Sequence, residues 1–215
     1  MEIMSKPALR EIVAVKQLEF ASEILTTTGE TLRIEERAHQ YLARRLTGPK
    51  LWQRQLKAIE QVVREQAPRR NLAFGFVGQQ VQFVPAAGLT SPTVVYYANH
   101  YLKQVHPDRR GTRLEMVDGL PDLIVNEPVA KVQRYQVAND KVKLMLDAVS
   151  QQYQLAGGGT IADDDQINYR ERQRICDQVD QMMMVQLANE VHELLYDEPL
   201  APDQVELVKR KYGKY

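Results

Sequence analysis

The apolar residues of positions 1–68 recur at the spacing of an α-helix. In each of three segments they fall on one helical face. The segments run from Pro7 to Thr28–Gly29, from Glu30 to Gly48, and from Trp52 to Ala67–Pro68. Proline and glycine near their ends are typical of helix boundaries. The pattern predicts a wholly helical N-terminal region, residues 1–68.

Residues 69–127 show a mixed pattern. Apolar and polar positions alternate in residues 71–85 and again around Asp118–Gly119, which predicts two short β-hairpins. Between them, Ser91–Pro92 is a typical helix start, and the following apolar residues share one helical face. These are Val94, Tyr97, Ala98, Tyr101, Leu102 and Val105. We therefore expect a helix that ends at Pro107.

Residues 128–215 predict a C-terminal region of long helices. One extends from Val129 to about Leu155, one from Ile167 to about Tyr196, and a short one follows Pro202. The second has a wide apolar stripe, so we expect it to contact neighbours on more than one side. The sequence thus predicts a mainly α (α+β) fold, a multi-helix bundle with two short β-hairpins. The three regions are expected to form one compact unit.

The composition is that of a globular protein, with 44% apolar and 26% charged residues. The single cysteine, Cys176, excludes an internal disulfide, and the N-terminus has no signal-peptide pattern. No apolar run is long enough for a membrane span. We expect a cytoplasmic protein, and a component of a virion also fits this composition.

The two halves of the chain differ in charge although the whole is neutral. Residues 1–110 carry a net charge of +6 and residues 111–215 a net charge of −6. Such asymmetry fits a basic face for nucleic acid, or complementary faces that join copies of the chain. Packing of the halves against each other, which cancels part of the charge, fits it equally.

The short motif His106-Pro107-Asp108 follows the predicted helix of residues 91–107. With this helix and the spacing of Val132, Tyr135, Ala138 and Val142, the segment resembles the J-domain of Hsp40-like co-chaperones. The resemblance implies that His106, Pro107 and Asp108 form a turn that engages an Hsp70 chaperone. The alternative is structural, since histidine, proline and aspartate are common where a helix ends and a turn begins.

Motifs for metal, cofactor or covalent chemistry are absent from the sequence. The four histidines lie in separate segments, and Asp163-Asp164-Asp165 lacks the spacing of a calcium loop. Gly157-Gly158-Gly159 has no lysine placed to meet a phosphate. Cys176 lies on an apolar stripe, where it is expected to act as a small hydrophobic residue. We predict no metal, no cofactor and no recognisable enzyme class.

Two groups of residues indicate binding partners. Arg33, Arg37, Arg44 and Arg45 lie in the predicted second helix and suit phosphate contacts, which makes a nucleic-acid-binding protein one alternative.

The run Met182-Met183-Met184 on a long helix suits an adaptable protein contact. With the divided charge and the wide apolar stripe, it favours a non-enzymatic structural or interaction protein. We expect a homo-oligomer or a subunit or adaptor of a larger complex, of which a virion or connector component is one form.

Overall fold

The structure is a computed structural model that describes residues 7–46, 48–68, 71–78, 80–89, 91–156 and 166–212. These residues contain five α-helices and nine β-strands in two antiparallel sheets. The predicted multi-helix bundle with two short hairpins is therefore wrong, because the fold is a mixed α+β structure with a six-stranded sheet. The chain divides into two compact units, residues 1–47 with 71–140, and residues 48–70 with 141–215.

The first unit is built on the six-stranded antiparallel sheet. Its strands are β1 (Ile12–Gln17), β2 (Ser22–Thr26), β3 (Thr31–Ile34), β4 (Phe76–Val77), β5 (Gln82–Pro85) and β6 (Val95–Ala98). Their order across the sheet is β3-β2-β1-β6-β5-β4, so β1 and β6 lie at the centre. A nine-residue helix, α1 (Ala38–Leu46), follows β3.

The predicted first helix is wrong, because the segment forms strands β1 and β2. Ile12, Val13 and Val15 have no exposed surface, so both faces of the strand are buried. A continuous run of β-branched residues is typical of such a central strand. Phe20, an apolar residue within the segment predicted as this helix, lies outside the strand and is 70% exposed. The second predicted helix is wrong in its first part, where β3 alternates between exposed and half-buried residues.

The prediction of a helix for residues 91–107 is also wrong. Its first half is β6 and its second half is β7 (Leu102–Asp108), joined by a short 3-10 turn at Asn99–Tyr101. Val95-Tyr96-Tyr97 combines β-branched and aromatic side chains, which pack well on a sheet. Because β6 is buried on both faces, its apolar run matches a helical stripe equally well and periodicity alone does not separate the two.

A smaller sheet completes the strands of the first unit. It contains β7, β8 (Gly111–Met116) and β9 (Leu123–Val125), with β7 at one edge. The antiparallel pair of β8 and β9 confirms the predicted hairpin around Asp118–Gly119, and Gly119 has a φ of 90°. The predicted hairpin of residues 71–85 is also confirmed as β4 and β5, two strands of the larger sheet.

Two apolar clusters cover the two faces of the larger sheet. On one face, Ile12, Val15 and Tyr96 pack with Tyr41 and Leu42 of α1. The other cluster joins the sheet to β8, β9 and the first part of helix α3 (Val129–Ala156). Its members include Val13, Val84, Tyr97, Leu114, Val125, Val132 and Tyr135. The first unit is thus layered, because each face of the sheet buries its own apolar cluster.

The second unit is helical. It contains α2 (Lys50–Gln66), the later part of α3, α4 (Gln166–Tyr196) and α5 (Pro202–Tyr212). These elements confirm the helices predicted for residues 52–67, 129–155, 167–196 and the segment after Pro202. Helix α4 packs against both α2 and α5, as its wide apolar stripe predicted. No helix in the described ranges is long and apolar enough to cross a membrane.

Candidate interaction surface

Helix α4 carries two apolar faces. On the inner face Cys176, Val179, Met182 and Val185 are each at least nine-tenths buried. The second face lies in the C-terminal half of the helix and remains partly open to solvent. We call this set the outer stripe; its members are Met184, Leu187, Val191 and Leu194.

The spacing of the outer stripe is that of a coiled-coil seam. Its residues are separated by three, four and three positions, which alternate like the a and d positions of a heptad. Exposure rises along the stripe from 43% at Leu187 to 86% at Leu194. An apolar seam in water is unfavourable, since each buried leucine side chain is worth about 2 kcal/mol. Covering the outer stripe with another apolar surface is therefore favourable in free energy.

Further exposed apolar residues extend this surface. Leu195 and Tyr196 complete the last turn of α4 and are 69% and 66% exposed. Leu207 of α5 is also exposed. Exposed apolar surface of this kind on a folded protein commonly marks protein contacts.

Charged residues of opposite sign lie at the two ends of the α4–α5 hairpin. Glu193, Asp197 and Glu198 are exposed at the C-terminal end of α4. The basic last turn of α5 lies beside the earlier part of α4, because Gln181 Nε2 donates a 2.7 Å hydrogen bond to the Lys209 carbonyl. Arg210 and Lys211 in this turn are exposed. The C-terminal end of α4 is thus acidic, and the last turn of α5 is basic.

A groove of about 720 Å³ lies on the other side of α4, where α2, α4 and α5 meet. Ion pairs cross it, from Arg54 to Glu190 at 2.8 Å and from Lys209 to Glu65 at 3.4 Å. These ion pairs connect α2 to α4 and α2 to α5, so the charged side chains of the groove already have partners within the unit. Nearby on α2, burial raises the pKa of the Glu60 carboxyl to about 7, against the opposing effects of Arg64 and Lys57.

The motif His106-Pro107-Asp108 lies at the end of β7. Pro107 is on an edge strand, where its missing N–H breaks no sheet hydrogen bond. Asp108 Oδ1 accepts a 2.9 Å hydrogen bond from the Arg110 N–H and closes the turn to β8. His106 Nε2 lies 2.7 Å from Glu115 Oε2 across the hairpin. The segment predicted as the helix before this motif forms β6 and β7 instead, and His106, Pro107 and Asp108 are the last three residues of β7.

The three methionines separate on α4. Met182 is buried and lines the groove, whereas Met183 and Met184 are half-buried. Met184 begins the outer stripe. The sequence pattern identified this segment but did not distinguish its inner face from its outer face, because both are apolar.

The four arginines of the nucleic-acid alternative do not share one helical face. Arg33 lies on β3, 3.4 Å from Glu35, while Arg44 pairs with Glu36 at 2.6 Å. Arg45 donates to the Tyr41 hydroxyl and to the Pro7 carbonyl. Arg37 stands at the start of α1 and makes no ion pair within the described residues. The structure therefore disperses this predicted basic face.

Within the described ranges, no group of three or more histidine, cysteine, aspartate or glutamate side chains is placed to hold a metal ion. The Asp163–Asp165 and Gly157–Gly159 segments lie outside the described residues. Cys176 is buried, and burial raises the pKa of its thiol to about 11. Comparison with protein-family models, curated proteins and solved structures found no match to this chain.

Proposed function

We propose that this chain is a structural or interaction protein, the subunit of an assembly that self-associates through the outer stripe of α4. The observation that carries the proposal is the seam of Met184, Leu187, Val191 and Leu194, which has heptad spacing and is exposed at its end. No catalytic residue is part of this proposal.

A second copy of the same chain is the partner that the surface fits best. Two-fold pairing requires a self-complementary patch. If two copies of α4 pair antiparallel about a point near residue 189, position 197 of one copy lies opposite position 181 of the other. The acidic end of one hairpin, with Glu193 and Glu198, then approaches the basic end of the other, with Arg210 and Lys211. The charge distribution therefore favours the antiparallel arrangement.

The test is the oligomeric state of the purified chain, measured by size-exclusion chromatography with light scattering over a range of concentrations. We expect a concentration-dependent dimer or larger species. Leu194→Asp places a charge in the seam at a side chain that is 86% exposed, so the fold of the subunit is retained. This variant should weaken association by at least about tenfold, since it buries a charge without a partner.

Leu144→Asp is the matched control. Leu144 is an exposed leucine on another helix, α3, and is 64% exposed. This variant should associate like the wild type. A wild-type chain that is monomeric at every workable concentration, or equal weakening by both variants, contradicts the proposal.

The charge arrangement has its own test. Arg210→Glu with Lys211→Glu should weaken association, and Glu193→Lys with Glu198→Lys should do the same. A mixture of the two double variants should form mixed pairs in which both charge contacts are attractive again, because one variant is acidic at both ends and the other is basic at both ends. Failure of the mixture to associate better than either variant alone would reject the antiparallel arrangement while leaving the seam in place.

A further inference from the structure

A pocket of about 630 Å³ in the first unit lies at the start of α1. Its wall includes the end of β1, the first turn of α1, the loop before β6, and Tyr96 of β6. Two apolar side chains at this wall, Phe20 and Leu89, are 70% and 47% exposed. The pocket therefore combines a polar helix start with open apolar surface.

The first turn of α1 presents two unsatisfied donors to this pocket. The Ala38 N–H donates a 2.9 Å hydrogen bond to Gln17 Oε1, and the Tyr41 N–H donates to the Arg37 carbonyl. The N–H groups of His39 and Gln40 have no acceptor among the described residues, and both residues line the pocket. Free N–H groups and the positive end of the helix dipole attract anions.

Arg37 adds a full positive charge at the same wall. Its guanidinium is exposed and has no ion-pair partner in the described part of the chain, in contrast to Arg33 and Arg44. Glu19 is the acidic residue of the lining, also exposed. An arginine beside free backbone donors is well suited to the planar or tetrahedral oxygens of an oxyanion.

An independent observation at this wall is the hydroxyl of Tyr96. The Tyr96 side chain lines the pocket and has no exposed surface, and its hydroxyl has no hydrogen-bond partner in the described residues. Burial raises the pKa of this hydroxyl to about 12, so it stays protonated and able to donate. A buried hydroxyl without a partner is unfavourable, by about 1–3 kcal/mol. A ligand oxygen that reaches this hydroxyl would remove the deficit.

We propose that the pocket binds a small amphipathic anion, one oxyanion group on an apolar body. The oxyanion lies at the first turn of α1, where the His39 and Gln40 N–H groups and Arg37 bind it. The apolar body lies against Phe20 and Leu89. Carboxylates and phosphate monoesters share this chemistry.

Isothermal titration calorimetry of the full chain with phenyl phosphate, benzoate and inorganic phosphate tests the proposal. We expect saturable binding of phenyl phosphate or benzoate at one site, and the stronger of the two identifies the oxyanion. Benzyl alcohol, which has the apolar body without the charge, should bind much more weakly. Absence of saturable binding for both aromatic anions overturns the proposal.

Variants separate the two parts of the site. Arg37→Gln should weaken binding of the aromatic anion by about tenfold, the usual loss for a hydrogen bond to a charged group. The matched control is Arg33→Gln, which changes another exposed arginine, on β3, and should bind like the wild type. Phe20→Ser should weaken phenyl phosphate but leave inorganic phosphate unchanged. Equal effects of the two arginine variants overturn the proposal.

Tyr96→Phe tests the buried hydroxyl. Because the ring is kept, this variant should fold and should be more stable without ligand, since the unsatisfied hydroxyl is removed. It should also bind the anion several-fold more weakly. Unchanged affinity would show that this hydroxyl plays no part and would remove the observation on which the pocket assignment depends.

Discussion

Gln17 at the end of β1 caps the start of α1, because its Oε1 accepts a 2.9 Å hydrogen bond from the backbone N–H of Ala38. The same side chain donates to the carbonyls of Leu18 and Ala21, so it also closes the turn after β1. One buried amide thus fixes the helix to the sheet. Because Gln17 binds the Ala38 N–H, the N–H groups of His39 and Gln40 are the ones left without an acceptor among the described residues.

Gln17→Ala should therefore destabilise the protein by about 1–2 kcal/mol, the usual cost of losing a helix cap and leaving buried partners unsatisfied. Urea unfolding followed by circular dichroism measures this change. The control is Lys16→Ala at the neighbouring exposed position, whose ion pair with Glu23 at 3.6 Å is on the surface. A Gln17 variant as stable as the Lys16 variant would contradict the capping role.

Asn139 should be among the residues that contribute most to the stability of the first unit. Its side chain is fully buried, accepts a 2.8 Å hydrogen bond from the Gly75 N–H and donates to the carbonyls of Ala73 and Tyr135. Asn139→Ala removes three hydrogen bonds and should cost about 3 kcal/mol in unfolding free energy. Val137→Ala, at an exposed site on the same helix, should cost well under 1 kcal/mol.

Stability of the second unit should fall as pH rises through the range where Glu60 ionises. Its pKa is raised from 4.5 to about 7 by burial, so the folded chain binds the proton more tightly than the unfolded chain. By linkage, the unfolding free energy should decrease between about pH 4.5 and 7, and the total decrease across this range should be about 3 kcal/mol. Glu60→Gln should remove this decrease. Equal pH profiles for the variant and the wild type, measured by urea unfolding, would contradict it.

The thiol of Cys176 should react slowly in the folded chain. It is buried on the inner face of α4, and its pKa is raised to about 11 by burial together with Asp180 and Asp177. Only the thiolate is a good nucleophile. Because the pKa is raised, little of the thiol is ionised at pH 8. Alkylation by iodoacetamide, followed by mass spectrometry, should be about a hundredfold slower than in urea, the loss of thiolate that this pKa shift implies at pH 8. Equal rates would place Cys176 in solvent.

The sequence by itself identified the helical segments of the second unit and the two hairpins. Helices α2, α3 and α4 are long, α5 is short, and all four have apolar stripes and proline or glycine near their ends, so local pattern and final structure agree. The hairpin around Asp118–Gly119 follows from turn chemistry, because Gly119 adopts the positive φ that glycine favours. The same reasoning identified α4 as a helix with more than one contact face.

Only the tertiary structure decided that residues 12–26 and 95–108 are strands. Ile12-Val13-Ala14-Val15 and Val95-Tyr96-Tyr97-Ala98 become strands because each lies between two neighbouring strands and buries both faces, which removes the alternation that marks a strand in sequence. Likewise, Leu187 and Leu194 look like core residues in the sequence, and only the position of the neighbouring helices leaves them exposed. Whether an apolar side chain is buried depends on which elements pack against it, and the local sequence pattern does not determine that packing.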